Sequence, residues 1–422
     1  VSVFQGVFGS SAGGSAQATS GNSQVTLGGS FGLVGNRFAA HWLQGAPTGF
    51  SGSGFGGFDY VRSRQLMDVG PVAVTDVVFD WPNWVPIPGE TDNTNPILLS
   101  AVIAAADGEN FQVLWAGQPT IVIQPGVTAQ NDPLPIVLLA NTQYILTVHV
   151  SATIQGAGYP ITATLSGTRT GEGWNSIGTS ITDAANVPVL ASDNLAAASL
   201  SIFQDLPIYA PCAMRGTIAR AIPRLLILGD SISDGIGDNL DIYGGYIRRA
   251  LGYKFPLLQL TAPGDSVTSF NAMSTRRARL LARCGATHCI YELGTNDFGG
   301  GVTFAALQYQ AEIAWERLRA RGMKIYACTL TPRTTSSDGF TTTSGQTLSS
   351  FEGYRVAYNT WIRAGADGLI DGFFDPAAMV ETSLNSGLWN VTGGPFTADG
   401  IHPSAIGHAA ASLAINTAVF VF

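Results

Sequence analysis

Ser231 follows Gly229 and Asp230, and before them stand four apolar residues, Leu225, Leu226, Ile227 and Leu228. An apolar run this short and unalternating suits a strand buried on both faces of a parallel sheet. A serine at the carboxyl end of such a strand stands where open α/β sheets keep their ligand sites, and the glycine is expected to let the backbone turn there. Far downstream, Asp399 precedes His402 by three residues, with Pro403 next. A serine becomes a nucleophile when a neighbouring base takes its proton, and a carboxylate near the base can hold its tautomer through Nδ1. Two more loops offer hydrogen-bond donors. Gly264, in Pro263-Gly264-Asp265-Ser266, has an unobstructed backbone N–H, and Asn296, in the loop 294–297, has a side-chain amide. Nucleophile, base, orienter and oxyanion donors are together what ester hydrolysis needs.

Each of these residues also has a plain structural reading. A serine in a strand-to-loop turn is often a cap, and Gly-Asp-Ser occurs twice, at 229–231 and 264–266. Order favours Ser231 over Ser266: it follows the first strand and leaves Gly264 free as a donor, whereas Pro263 restricts the second turn. Asp230 and Asp297 are expected to brace their turns. His288 and His408 are expected to pack, and His41 and His149 have no partner at metal-ligand spacing. Phe298 and Trp389 are candidates for lining a pocket, against plain packing. The segment 333–349, rich in Thr and Ser, is a candidate rim or lid.

The elements that must position these residues begin near 222, where short apolar strands alternate with helices. Strands are expected at 225–228, 257–260, 287–293, 324–330 and 369–374. The helices expected between and after them are 242–251, 272–282, Phe304–Arg319, 350–362 and 404–418. That alternation argues for a parallel sheet covered by helices. Upstream, from about 59 to 165, short strand-like runs are separated by turn signals such as Asp107-Gly108 and Pro125-Gly126, as in a sandwich or jelly roll. Trp81, Trp84 and Trp115 there could form a sugar-stacking platform or simply pack. Residues 1–57 are a Gly/Ser-rich leader. Its matches to G-x-S-x-G at 9–13 and to G-x-G-x-x-G at 52–57 lack the helix each motif requires. Residues 166–215 read as irregular. The domains are therefore expected at 1–215 and 216–422.

The blocks Gly229-Asp230-Ser231, Gly264, Gly294-x-Asn296-Asp297 and Asp399-x-x-His402 resemble, in order, the four blocks of the SGNH hydrolases, also called the GDSL family. The resemblance spans 216–422, with Thr295 standing where glycine is common. It implies a flavodoxin-like parallel five-stranded sheet with helices on both faces. It implies Ser231 as nucleophile and Asp399 and His402 as its partners, with the N–H of Ser231, Gly264 and Asn296 as oxyanion donors. It calls for no cofactor and no metal. The β region resembles jelly-roll-type domains of some SGNH carbohydrate esterases. The expectation is a serine esterase for carboxylic, chiefly acetyl, esters on a small molecule or an acylated polysaccharide, secreted or periplasmic. Alternatives are a lipase, thioesterase or acyltransferase on the same site, or a non-catalytic glycan-binding or structural protein.

Composition narrows the field. Of 422 residues 45% are hydrophobic and 12% charged, so large cores are available, and 51 glycines suit a turn-rich β part. The net charge is −8 and the only lysines are Lys254 and Lys324, which argues against a nucleic-acid partner. No run of eighteen uninterrupted apolar residues occurs, so no membrane span is expected, and no signal-peptide pattern follows Val1. Cys212, Cys284, Cys289 and Cys328 show no C-x-x-C spacing; a bridge between Cys284 and Cys289 stays open at this level.

Overall fold

The computed structural model describes residues 23–27, 60–85, 90–93, 95–105, 109–152, 173–178, 209, 211–218, 222–238, 244–252, 254–272 and 275–421. The motif matches at 9–13 and 52–57, and His41, lie outside the described residues. The C-terminal part holds five parallel strands, Leu225–Gly229, Leu257–Thr261, His288–Glu292, Lys324–Cys328 and Gly372–Phe374. Their spatial order is second, first, third, fourth, fifth, the flavodoxin-like order. Leu225 lies opposite both Leu257 and His288, so the first strand is interior, paired on both sides.

The first three strands are buried along their whole length, which suits the apolar run of the first; the second and third also bury Gln259, His288 and Glu292. Alternate side chains serve two cores. Leu226, Leu228 and Tyr291 face the helices Val267–Asn271, Thr275–Arg283, Phe304–Arg319 and Glu352–Arg363. Leu225, Ile227 and Ile290 face Gly245–Leu251, Pro376–Val380 and Ala405–Ser412. Helices thus cover both faces. The closing helix is shorter than 404–418, because Asn416 caps a separate 3-10 turn, Thr417–Val419. The short helix Val267–Asn271 was not expected; Ser266 is its N-cap, accepting from the Ser269 N–H at 3.0 Å.

The N-terminal part is two antiparallel sheets. One orders Ser23–Leu27, Ala213–Ile218, Val74–Pro82 and Thr128–Gln130. The other orders Gly173–Gly178, Tyr60–Asp68, Gln143–Ala152, Ile97–Ala105 and Asn110–Gln112, with Ile121–Ile123 also on Ile97–Ala105. Met214 and Val77 from the first sheet and Leu99 and Val148 from the second share one core, as a sandwich does. The strand Ala213–Ile218 runs past the expected boundary at 215, and Gly173–Gly178 is a strand where irregular chain was expected. Its glycines hide the periodicity, and its pairing to Tyr60–Asp68 carries a register shift.

Trp81, Trp84 and Trp115 are all buried, so they form no exposed platform. Trp81 packs against Phe79, Trp115 and Tyr209. Trp84, Cys212 and Ala213 enter the core of the parallel sheet beside Leu280 and Leu281. Hydrophobic burial therefore joins the two parts. All four cysteines are buried free thiols, and Cys284 and Cys289 are not bridged.

Candidate active site

The first strand ends at Gly229, and the helix Ser231–Asp234 begins two residues later. Asp230 caps it, its carboxylate accepting the Ile232 N–H at 2.9 Å. Gly229 stays within the strand; it is required by close approach, since a Cβ there would lie 1.9 Å from Ser233 Oγ. The turn expected at this glycine is made by the capped helix instead. Ser231 thereby stands at the carboxyl edge between the first and third strands, where the strand order reverses.

Across that edge, His402 Nε2 is 2.8 Å from Ser231 Oγ, and its Nδ1 is 2.6 Å from Asp399 Oδ2. With Nδ1–H donating to the carboxylate, Nε2 is left to accept the serine hydroxyl. Asp399 Oδ1 accepts the backbone N–H of Ile401 and His402, each at 2.8 Å. Burial alone would raise the Asp399 carboxyl; the hydrogen bonds from the His402 ring and these N–H groups outweigh it and hold it well below the usual range.

The loop carrying this pair is braced from beneath. Thr397 Oγ1 lies 2.8 Å from the His402 carbonyl and accepts the Gly400 N–H at 2.9 Å. The Gly400 carbonyl accepts from Trp389 Nε1 at 3.1 Å and from the Thr334 N–H at 2.9 Å. Gly400 has φ +81°, and a Cβ there would meet the Thr334 carbonyl oxygen at 1.9 Å. The segment 333–349 is thus a brace for this loop: its strands Thr334–Ser336 and Gln346–Leu348 pair, and Gln346 exchanges hydrogen bonds with the Trp389 backbone at 2.8 and 2.9 Å.

Gly264 follows the second strand, and Asn296 lies in the short helix Thr295–Gly299 that follows the third. Among the described residues no acceptor is assigned to the backbone N–H of Ser231 or Gly264. The Asn296 amide nitrogen donates to the Asp265 carbonyl at 2.9 Å and to Asp230 Oδ2 at 3.2 Å. Burial pushes the Asp230 carboxyl up to about 7, with the charges of Asp265 and Asp297 adding to it; the Ile232 N–H and His402 oppose the rise. Asp297 ties the two loops together by accepting the Val267 N–H and the Thr268 hydroxyl, both at 2.9 Å. Asp265 is held by Arg277 through a buried ion pair of 2.7 Å.

Phe298 and Trp389, expected as pocket lining, are placed in the core instead. Phe298 is 1% exposed among Phe351, Tyr354 and Tyr358, and Trp389 is fully buried beneath the Asp399–His402 loop. Ser266 makes its contacts with Ser269. His408 and His288 are buried packing residues. Thr397 and Arg277 belong to the site's framework and escaped the sequence reading. Thr397 stands two residues before Asp399 and could have been noticed; Arg277 lies on a helix with no motif. Among the described residues, no group of three or more His, Cys, Asp or Glu side chains could hold a metal ion, and no helix is long and apolar enough to cross a membrane.

Residues 227–410 match the family described as GDSL-like Lipase/Acylhydrolase, so this stretch of the chain is a GDSL-type acylhydrolase domain. No curated protein matches the chain. Among solved structures it is similar to a GDSL-like lipase from Bacteroides thetaiotaomicron, at 18% identity and TM-score 0.35, covering 48% of this chain and 92% of that one. It is similar to a lipolytic G-D-S-L family member from Veillonella parvula, at 18% identity and TM-score 0.35, covering 47% and 97%. An acetylxylan esterase from Geobacillus stearothermophilus is similar at 16% identity and TM-score 0.33, covering 46% and 91%.

Proposed function

We propose that this acylhydrolase is a serine esterase acting on small acyl groups, acetyl above all, carried by carbohydrate. The observation that carries the esterase reading is the continuous path from Ser231 Oγ through His402 to Asp399, with contacts of 2.8 and 2.6 Å. His402 Nε2 takes the hydroxyl proton as Oγ attacks the ester carbonyl, and Asp399 stabilises the imidazolium that forms. The negative oxygen of the tetrahedral intermediate is held by the N–H of Ser231 and Gly264 and by the Asn296 amide. Its contact to Asp230, at 3.2 Å the longer of the amide's two, is the one the oxyanion displaces. A carboxyl with its pKa raised to about 7 competes only weakly for that amide. His402 then returns the proton to the departing alkoxide oxygen, leaving an acyl-serine. Water attacks the acyl carbon with His402 again as base, the acid leaves and Ser231 is restored.

The carbohydrate part of the reading is supported by the β-sandwich beside the catalytic half and by the acetylxylan esterase among the similar structures. A polysaccharide substrate would place the enzyme outside the cytoplasm. The test is hydrolysis of p-nitrophenyl esters of increasing chain length, and acetate release from acetylated xylan. Activity confined to acetyl esters is expected; a preference for long chains would overturn the sugar reading. Ser231→Ala should abolish turnover in a folded protein, while Ser266→Ala keeps most of it and an organophosphonate labels Ser231 alone. Label on Ser266, or near-normal turnover by Ser231→Ala, overturns the mechanism.

A further inference from the structure

The helix Thr275–Arg283 is held at both ends by carboxylates of the β region. At its start, the Glu90 side chain, 1% exposed, accepts the backbone N–H of Arg276 at 3.0 Å and of Arg277 at 2.5 Å. At its end, Arg283 Nη1 lies 3.7 Å from the buried carboxylate of Asp80, which Arg215 and Gln130 also engage. The Arg276 side chain closes the joint from outside. It donates to the Gly126 carbonyl at 2.9 Å, pairs with Asp92 and lies over the Trp84 ring at 5.7 Å. A carboxylate on the first N–H groups of a helix satisfies donors that have no partner within it and matches the helix dipole.

From this first turn a second link runs inward. The guanidinium of Arg277 is 3% exposed and pairs with Asp265 Oδ2 at 2.7 Å. Asp265 is the residue after Gly264, and its carbonyl accepts one hydrogen of the Asn296 amide at 2.9 Å. Both oxyanion donors contributed from outside the nucleophile's own turn therefore rest on Asp265. We propose that Glu90 is a positioning residue for ester hydrolysis. It fixes the first turn of Thr275–Arg283 so that Arg277 holds Asp265, and with it the Gly264 N–H and the Asn296 amide, at the distance the oxyanion requires. The β region thereby contributes to the chemistry without touching substrate. This inference rests on the esterase reading above.

An interaction made only in the transition state lowers kcat and kcat/KM together when lost, with KM unmoved. Misplacement of catalytic groups by about 1 Å can cost about 10²-fold. Glu90→Gln keeps the shape and one acceptor oxygen but removes the charge; Arg277→Lys weakens the inner link of the same path. Each full-length variant is assayed on p-nitrophenyl acetate, its kcat normalised to sites titrated by an organophosphonate so that only competent, folded protein counts. Both should lose about tenfold or more in kcat with KM changed less than about threefold. In an Asn296→Ala background, the same substitutions should lose less than about threefold, because the main group they position is gone. A purely structural Glu90 would lower the melting temperature yet leave normalised kcat and the coupling to Asn296 unmoved. Unchanged normalised kcat in both variants, or equal losses with and without Asn296, overturns the inference while the esterase reading stands. Absence of ester hydrolysis by the wild-type chain overturns the esterase reading, and the inference with it.

Discussion

Asp399, Gly400, Ile401 and His402 form a turn held by the Asp399 carboxylate, the Thr397 hydroxyl and the Gly400 carbonyl, and its tightest point is Gly400. The left-handed backbone at φ +81° costs a residue with a Cβ about 1–2 kcal/mol. The added methyl would also press on the Thr334 carbonyl oxygen. Gly400→Ala should therefore push the turn off its brace and carry the His402 ring away from Ser231. We expect kcat on p-nitrophenyl acetate to fall about 10²-fold, with a lower melting temperature; a variant keeping normal kcat would show that the turn tolerates displacement. At this scale the sequence was most readable. Ser231, Asp399 and His402 were legible because each sits in a short motif, and order favoured Ser231 over Ser266; the cap role of Ser266 was not legible, because the helix it begins was not expected. Arg277 and Glu90 could not be read, since their contact joins positions 187 residues apart and neither sits in a motif. Phe298 and Trp389 were ambiguous because an aromatic near a motif does not reveal which way it faces.

Among the elements, the closing helix Ala405–Ser412 ties the surroundings of Ser231 together through one side chain. His408 Nδ1 accepts the Tyr246 N–H at 3.1 Å, and its Nε2 donates to the Ile236 carbonyl at 3.0 Å. A neutral ring serves both contacts, and burial depresses its pKa to about 4. The sign follows from linkage. The unfolded chain takes up this proton near pH 6.5, above the folded value, so the stabilisation is complete above about 6.5 and is lost as pH falls toward 4. Asp230 works in the opposite direction, its carboxyl being raised to about 7, so the trend of the wild type alone is a sum. Comparison with His408→Gln isolates the histidine. The wild type's advantage in urea unfolding should shrink by about 2 kcal/mol between pH 7 and pH 5; a constant difference would refute the neutral buried ring. Helix and strand placement was largely legible after residue 222, where apolar runs and turn residues agree. The end of this last helix was not, because Asn416 restarts the chain as a 3-10 turn within an otherwise apolar stretch.

For the whole molecule, the decisive fact is that Trp84, Cys212 and Ala213 lie in the core of the parallel sheet. Trp84→Ala would leave a cavity there and an unpaired Thr128 hydroxyl, now 2.7 Å from the indole nitrogen, at a cost of about 3–5 kcal/mol. A chain beginning at residue 222 would bare the same surface. It should elute as aggregate in size-exclusion chromatography where the full chain does not; a monodisperse, fully active fragment would show that the two parts are independent. The two-part architecture was readable from composition, but the joint was not. Hydrophobic patterning identifies a buried tryptophan without saying which core receives it. The distance along the chain between Ser231 and His402, 171 residues, also orders events during synthesis. The β region and its carboxylates are made first, then Ser231, then the segments carrying Gly264 and Asn296, and His402 after all of them. At about 5–20 residues per second the serine leads the histidine by roughly 10–30 s. On the proposed mechanism the nascent chain is inert for that interval, and an ester meeting it finds a serine with no base beside it.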